Sequence, residues 1–193
     1  MPTIAFEKLY EHVMEMLQDL DPSLTYHSIH HTRDVVRQSE RIAKEEGIPP
    51  DQIVLLKIAA LYHDTGFLKV YAGHEEAGCA IFEADKYRSH FSDDEAALIL
   101  GLIRATKVPQ QPHTHLQQII CDADLDYLGR TDFPPIAALL QKEVLHAGLV
   151  PDALTWHERE IQFLQKHRYH THSSQTVREP VKQQNIEALL RRS

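Results

Sequence analysis

Four side chains of the kinds that bind metal ions fall on helical faces that should otherwise be apolar. His63 continues the apolar stripe of one predicted helix, and Asp64 follows it directly. His31 lies one turn before the inward face of an earlier helix, and Asp124 lies on the apolar face of a later one. The stripes consist of Val35 and Ile42, of Ile53, Leu56 and Ala60, and of Leu116, Ile120 and Leu128. Three separate helices are therefore predicted to bring polar side chains into one interior.

A buried carboxylate needs a partner, because an unpaired charge away from water is very costly. An ion pair, a protonated acid and a bound metal are the usual solutions, and no Arg or Lys lies on these stripes. Two imidazoles with two carboxylates suit a divalent first-row transition metal. For any one of these residues, a hydrogen-bonded core position is the alternative interpretation. The four together favour a metal site.

Other residues of these types are assigned to ordinary structural positions. Asp122 and Asp126 point away from the apolar face and are predicted to be solvated. Cys79 and Cys121 are too few for a disulfide framework, so they are interpreted as buried thiols in a reducing compartment. The chain has 14 His residues. Those in polar or loop segments are predicted to be solvated, namely His113, His115, His167, His170 and His172.

The elements that must position the four residues are all predicted to be helical, because no segment shows convincing period-two alternation of β-branched residues. The predicted class is an all-α helical bundle forming a single domain over residues 1–193, with a core of about 26–129 and C-terminal helices over 132–193 packed on it. A capping box at Ser92–Glu95 opens one helix, and 169–179 is predicted to be an extended connector. The predicted helices cover about 4–20, 27–46, 51–63, 74–89, 93–106, 114–128 and 181–192, with two more following Asp132 and Asp152.

Composition and charge narrow the function classes. The formal net charge is −8, which opposes attraction to nucleic acid or to an anionic membrane. No segment approaches the roughly 18 consecutive apolar residues of a membrane-spanning helix. The start of the chain lacks a basic region followed by an apolar stretch, so a cytoplasmic location is expected.

The order and context of these residues resemble the HD-domain metal-dependent phosphohydrolase superfamily, whose pattern is H…HD…D. The likeness spans about Tyr26 to Gly129. It rests on His31-Thr32-x-x-Val35, on Tyr62-His63-Asp64-Thr65-Gly66 and on Asp122-Ala123-Asp124-Leu125-Asp126. The resemblance implies an all-α fold with a central metal bound by His31, His63, Asp64 and Asp124. It also implies hydrolysis of a phosphomonoester or phosphodiester, often of a nucleotide or cyclic nucleotide.

Some proteins of the superfamily hold two metals by adding two His ligands between the HD pair and the final Asp. His74 matches the first of these, whereas Thr106 stands where the second would lie. We therefore expect one tightly bound divalent ion (Mn, Fe, Co, Ni, Zn or Mg) and at most a weak second one.

The predicted mechanism uses a water activated by the metal, with Asp64 or Asp124 as the base that orients it. His74, Glu75 or Glu76 is expected to protonate the leaving oxygen. Lys69 is expected to reach the substrate phosphate. The expected partner is a small-molecule phosphate ester, with a homo-oligomer left open and no binding of nucleic acid.

Two other functions remain open at this stage. Certain HD-like proteins resemble diiron oxygenases, which need six ligands, and Thr106 counts against that alternative. A non-catalytic, metal-stabilised sensor or scaffold would retain the same four ligands. Replacement of Asp64 separates the two, because an enzyme loses turnover whereas a scaffold mainly loses stability.

Overall fold

The computed structural model describes residues 2–191. Over that range the chain forms ten α-helices and four short 3₁₀ segments and contains no β-strand, which confirms the all-α prediction. The 3₁₀ segments are Leu17–Asp19, Thr65–Leu68, Arg88–His90 and Asp126–Gly129. The helices are α1 (Phe6–Met16), α2 (Ile29–Glu45), α3 (Pro50–Tyr62), α4 (His74–Ala84), α5 (Asp93–Ala105), α6 (His115–Asp124), α7 (Phe133–His146), α8 (Ala153–Lys166), α9 (His172–Val177) and α10 (Glu179–Leu190).

Several predicted helices end early, in tight turns. The first leaves α geometry after Met16, and the fourth ends at Ala84 rather than at Ser89. The sixth ends at Asp124, and the predicted continuation is the 3₁₀ segment Asp126–Gly129. The capping box at Ser92 and Glu95 is confirmed at the start of α5. The early end of α6 matters most, because it makes Asp124 the last helical residue.

The hydrophobic interior has two parts. The larger part packs side chains of α1 to α6 around α3, whose residues Leu56 and Ala60 are fully buried. The smaller part joins the segment after α6 to α7, α8 and α10, through residues such as Phe133 and Leu164. Helix α9 packs on α2, and α10 packs on the 3₁₀ segment Asp126–Gly129. These contacts agree with C-terminal helices packed on a core, while the single domain over 1–193 stays a prediction.

The segment 169–179 is not the extended connector that its polar composition predicts. It contains α9, which Thr171 caps by accepting a hydrogen bond from the Ser174 N–H. Helix α10 begins at Glu179, and the predicted helix end at Arg192 lies outside the described residues. A short capped helix in a polar segment leaves no apolar periodicity to detect.

His167, predicted to be solvated, instead packs into the protein. Its ring lies against Tyr169, and Lys182 Nζ lies 3.3 Å from its Nδ1. The same Lys182 donates to the His167 carbonyl at 2.6 Å and pairs with Glu179 at 2.9 Å. Burial, together with the Lys182 charge, lowers the pKa of His167 to about 3. The helix-rich C-terminal region therefore holds this imidazole neutral.

Both cysteines are buried, as predicted. Burial raises the pKa of the Cys79 thiol to about 11 and also raises that of Cys121. Neither thiol is therefore poised as a thiolate nucleophile. Within residues 2–191, no helix has both the length and the apolar character required to cross a membrane.

Candidate metal centre

His31, His63, Asp64 and Asp124 meet in the interior, and we call them the ligand cluster. His31 Nε2 lies 3.1 Å from Asp124 Oδ1 and 3.4 Å from Asp64 Oδ2. His63 Nε2 lies 3.2 Å from Asp64 Oδ2 and 3.6 Å from Asp124 Oδ1. The two Nε2 atoms are 3.4 Å apart. Asp64 therefore lies beside both imidazoles, while the ligand atoms of His31, His63 and Asp124 all lie within 4.8 Å of one another.

The helices fix each of these side chains. His31 lies in the first turn of α2, His63 and Asp64 directly follow α3, and Asp124 closes α6. His63 Nδ1 lies 2.8 Å from the Ala60 carbonyl, which accepts its N–H hydrogen bond and directs Nε2 at the cluster. Gln110 Nε2 approaches the outer oxygen of Asp124 at 3.5 Å. The hydrogen bond at Nδ1 therefore fixes which nitrogen of His63 faces the cluster.

One carboxylate oxygen of the cluster is buried without a hydrogen bond from any described residue. Asp64 Oδ2 is buried, and the imidazole nitrogens 3.2 and 3.4 Å away lack hydrogen-bond geometry, so among residues 2–191 it has no hydrogen-bond partner. Burial by itself would lower the pKa of His63, but Asp64 and Asp124 outweigh it and hold that pKa well above its usual range. For Asp124, the effect of burial is overcome by hydrogen bonds from His31 and His63, which bring its pKa to about 2. A proton or a divalent metal ion fits these donors, and His31, His63 and Asp124 alone already satisfy the spacing of a metal site.

His74 reaches the edge of the cluster because two glycines let α4 approach the His63–Asp64 turn. A Cβ on Gly66 would lie 1.8 Å from the His74 carbonyl oxygen, and one on Gly78 would lie 2.9 Å from the Tyr62 oxygen. His74 Nε2 lies 3.6 Å from Asp64 Oδ1, on the side away from the two ligand histidines. The backbone contact at Gly66 therefore determines where His74 can stand.

Of the two glutamates after His74 that are predicted as proton donors, one lies at the site and the other at the surface. Glu75 is buried, and its Oε1 lies 3.6 Å from His74 Nε2. Glu76 is exposed and pairs with Arg104 at 2.9 Å. Thr106, at the position of the missing second His, donates to the Ile103 carbonyl at 2.8 Å. This side of the cluster thus offers fewer ligands than the side formed by His31 and His63.

The structure does not bring Lys69 to the cluster. Lys69 is exposed and lines a separate groove with His12 and Asp85. The reason is the 3₁₀ segment Thr65–Leu68, which turns the chain outward after the buried HD pair. Lys107 instead lines the cavity that contains Asp64 and Asp124. Arg159 of α8 lines the same cavity, and a second cavity beside His31 and Asp124 is lined by Arg33, Arg37 and Arg130.

A buried pair beside the cluster, His27 and Glu143, is not predicted from the sequence. His27 Nδ1 makes a short contact with Glu143 Oε1, while the backbone N–H groups of Tyr26 and His27 donate to Oε2 at 2.9 and 3.0 Å. Tyr71 donates to Oε1 at 2.9 Å. With Nδ1 occupied, Nε2 is left for the cavity that His27 lines. The position of His27 four residues before His31 is the only signal, since nothing in the sequence links it to Glu143.

The phenyl ring of Phe67 joins the two histidines of this cavity. It stacks on His27 with ring centroids 4.2 Å apart and on His74 with centroids 4.0 Å apart. Three flat rings therefore form one wall next to the ligand cluster. Stacking limits the rotation of both imidazoles and so keeps their nitrogens directed.

The prediction that Asp122 and Asp126 are solvated is wrong, since both are 0% exposed. Asp122 accepts hydrogen bonds from the His170 N–H at 2.8 Å and from the Thr171 N–H and hydroxyl at 2.8 and 2.7 Å. Asp126 faces three arginines, whose nitrogens lie 2.8, 2.8 and 3.5 Å from it, in the order Arg41, Arg178 and Arg130. The C-terminal region covers these carboxylates, so the α6 pattern alone made them look exposed.

The comparisons with known proteins agree with this picture. The family model described as HD domain matches residues 28–126, about half of the chain. No curated protein matches the sequence. A crystal structure of a Lactobacillus plantarum protein, a structural genomics target, is similar with a TM-score of 0.64 at 18% identity, covering 96% of this chain and 97% of that one. This second likeness concerns the fold alone.

Proposed function

The chain belongs to the HD domain family, and on that premise we propose that it is a metal-dependent phosphohydrolase. The reaction is hydrolysis of a phosphomonoester or phosphodiester, with nucleotides and cyclic nucleotides as the first substrates to test. One observation carries the proposal. The ligand atoms of His31, His63 and Asp124 lie within 4.8 Å of one another, and Asp64 Oδ2 is buried beside the two imidazoles without a hydrogen-bond partner in the described part of the chain.

The proposed ligands are His31, His63, Asp64 and Asp124, holding one tightly bound Mn, Fe, Co, Ni, Zn or Mg ion. When bound, such an ion lowers the pKa of a water and neutralises charge on a phosphoryl oxygen. A weak second site would use Asp64 Oδ1 with His74 Nε2, which lies 3.6 Å away. Thr106 offers only a hydroxyl that already donates to a carbonyl.

The chain's own groups supply the proton transfers. Asp64 and Asp124 are held ionised and can accept a proton from an attacking water. His27 and His74 both line the cavity of the cluster, and the Glu143 carboxylate at His27 Nδ1 leaves Nε2 of that ring to carry the transferred proton. Glu75 stands behind His74. We assign proton donation to the leaving oxygen to His27, with His74 and Glu75 as the alternative donors that the sequence predicts.

Cationic contact with the substrate is assigned to Lys107 rather than to Lys69. Lys107 lines the cavity of the ligand cluster, whereas Lys69 lies on another groove. A charge at the edge of the cavity attracts a phosphate ester even though the net charge of the chain is −8. A homo-oligomer, the lack of nucleic-acid binding and a cytoplasmic location stay predictions.

The test measures bound metal and hydrolysis in wild-type protein and in Asp64→Asn. Elemental analysis should find about one divalent metal per chain. Mn-, Co-, Ni- or Mg-loaded protein should release phosphate from a panel of nucleotides and chromogenic phosphoesters. Asp64→Asn should lose the metal and roughly 10³-fold in rate.

Asp51→Asn is the matched control, since Asp51 is an exposed carboxylate in the first turn of the same helix, α3. It should keep both metal and rate. Metal without turnover on any phosphoester would favour a scaffold. About two irons per chain with oxygen consumption would favour the oxygenase. Either result would overturn the proposed function.

A further inference from the structure

The ligand cluster opens into a cavity of about 650 Å³ whose two ends differ in chemistry. Asp64, Asp124 and His74 line one end. The other end is formed by the helical pair α7 and α8 with the loop between them. Most of the side chains that α7, α8 and this loop add to the lining are apolar, namely Phe133, Leu140, Leu149, Trp156, Phe163 and Leu164, and Arg159 and Glu160 of α8 are charged.

Two polar side chains that line the cavity, Arg159 and Tyr71, already donate hydrogen bonds within the chain. Arg159 donates to the Leu149 carbonyl at 3.0 Å, and this contact ties α8 to the α7–α8 loop. The Tyr71 hydroxyl donates to Glu143 at 2.9 Å. A nucleobase placed here would give up its hydrogen bonds to water and recover few of them. An apolar group would gain from burial without that cost.

We propose that this end of the cavity binds the organic group of the phosphate ester and selects an uncharged alkyl or aromatic group over a nucleobase. The inference rests on the proposed function, because it places the phosphate at the ligand cluster. Continuity of the cavity from Asp64 and Asp124 to Trp156 supports it, since one ester can occupy both ends. A volume of this size is also typical of pockets that enclose small organic ligands.

Two exposed leucines provide a matched pair for testing the site. Leu149, 48% exposed, lines the cavity from the α7–α8 loop. Leu154, 68% exposed, lies near the start of α8 but lines a separate groove that α10 helps to form. A group entering the cavity covers Leu149 and leaves Leu154 in water. Neither leucine touches the ligand cluster, so both variants should keep the metal.

The sequence contains one tryptophan, Trp156. It lies among the apolar side chains of α7, α8 and their loop, which we call the apolar wall. Intrinsic fluorescence therefore reports binding at this end without any need for turnover. Zn²⁺-loaded protein is titrated with straight-chain alkylphosphonates from ethyl to octyl and with adenosine monophosphate. The Kd should fall about three- to fourfold for each added methylene until the wall is covered. Adenosine monophosphate should bind no more tightly than the short phosphonates.

Leu149→Asn should weaken octylphosphonate binding about tenfold and leave ethylphosphonate unchanged, while Leu154→Asn should match wild type. A flat chain-length series, the tightest binding by the nucleotide, or no fluorescence change would overturn the inference. Hydrolysis of the corresponding alkyl phosphates separates the two proposals. If affinity rises with chain length but no phosphate is released, the hydrolase proposal is overturned and the apolar site stands. If phosphate is released but affinity does not depend on chain length, the apolar site is overturned and the hydrolase proposal stands.

Discussion

The two ends of the central cavity come from different parts of the chain. The ligand cluster lies entirely within residues 28–126, the part that matches the HD domain family. The apolar wall comes mainly from α7 and α8, which follow that part. The cluster is buried, and neighbouring atoms such as the Ala60 carbonyl fix its side chains. The wall includes partly exposed side chains such as Leu149.

This difference indicates that binding of the metal and choice of the organic group can change independently. A substitution in α7 or α8 meets apolar neighbours and alters the shape of the cavity. A substitution in the cluster leaves a buried charge without its partner, which costs far more. Glu143 of α7 crosses this boundary, because its carboxylate holds His27 beside the cluster and accepts a hydrogen bond from Tyr71.

The strongest test of this division compares two carboxylates of the same helix. Asp124→Asn should lose the bound metal and at least ~10³-fold in hydrolysis rate, because one of the four proposed ligands is removed. Asp122→Asn should keep the metal. It should lower the free energy of unfolding by about 1–3 kcal/mol, because an amide meets the donors from His170 and Thr171. Metal analysis and urea denaturation measure both effects.

A second test concerns the contact that crosses the boundary. His27→Gln should reduce the hydrolysis rate by roughly 10²-fold or more, because the proton donor paired with Glu143 is removed. The metal content should stay at the wild-type value, since His27 is not a proposed ligand. The measurement is a steady-state rate beside elemental analysis.

His30→Gln is the control, because His30 is exposed one residue before His31. It should match wild type in rate and in metal content. Loss of metal in His27→Gln would contradict the proposed role and place His27 in the ligand shell. An unchanged rate would assign proton donation to His74.

The smallest predicted effect concerns the C-terminal region and is a pH dependence of the unfolding free energy caused by His167. The unfolded chain protonates His167 near the ordinary histidine pKa of 6.5, whereas the folded chain keeps it neutral down to a pKa of about 3. The contribution of His167 to the unfolding free energy is therefore fully present above pH 6.5 and is lost as the pH falls toward 3. Between about pH 7.5 and 5, wild type should lose roughly 1–2 kcal/mol more unfolding free energy than His167→Gln. Urea denaturation of metal-free protein measures it, and parallel losses in both proteins would contradict it.

The ligand cluster was predictable because helical periodicity is strong where a helix is buried. His63 and Asp124 stand at positions where the helical periodicity predicts inward-facing apolar residues. In the structure both side chains point inward, and their Nε2 and Oδ1 atoms lie 3.6 Å apart. The predicted helix order holds for the same reason. The capping box of Ser92 and Glu95 has a local signature and is confirmed.

The remaining features depend on contacts between distant segments. Asp122 and Asp126 looked solvated because residues 48 and 52 positions further along the chain cover them. Glu143 gave no signal, since its partner His27 lies 116 residues earlier. Lys69 is predicted to reach the phosphate, but the chain turns outward after Asp64 and places Lys69 in a separate groove. The apolar wall comes from α7 and α8, whose apolar residues have the periodicity of any packed helix and give no sign of a cavity.

Asp122, Asp124 and Asp126 alternate along the chain and serve three different purposes. The first holds the α9 cap, the second belongs to the ligand cluster and the third pairs with arginines. In a saturation mutagenesis survey scored by cellular activity, all three positions should be equally intolerant, each for its own reason. Growth in excess metal should partly restore a weakened ligand position, and a lower temperature should restore the other two. A survey run under both conditions would therefore identify the ligand without a purified protein.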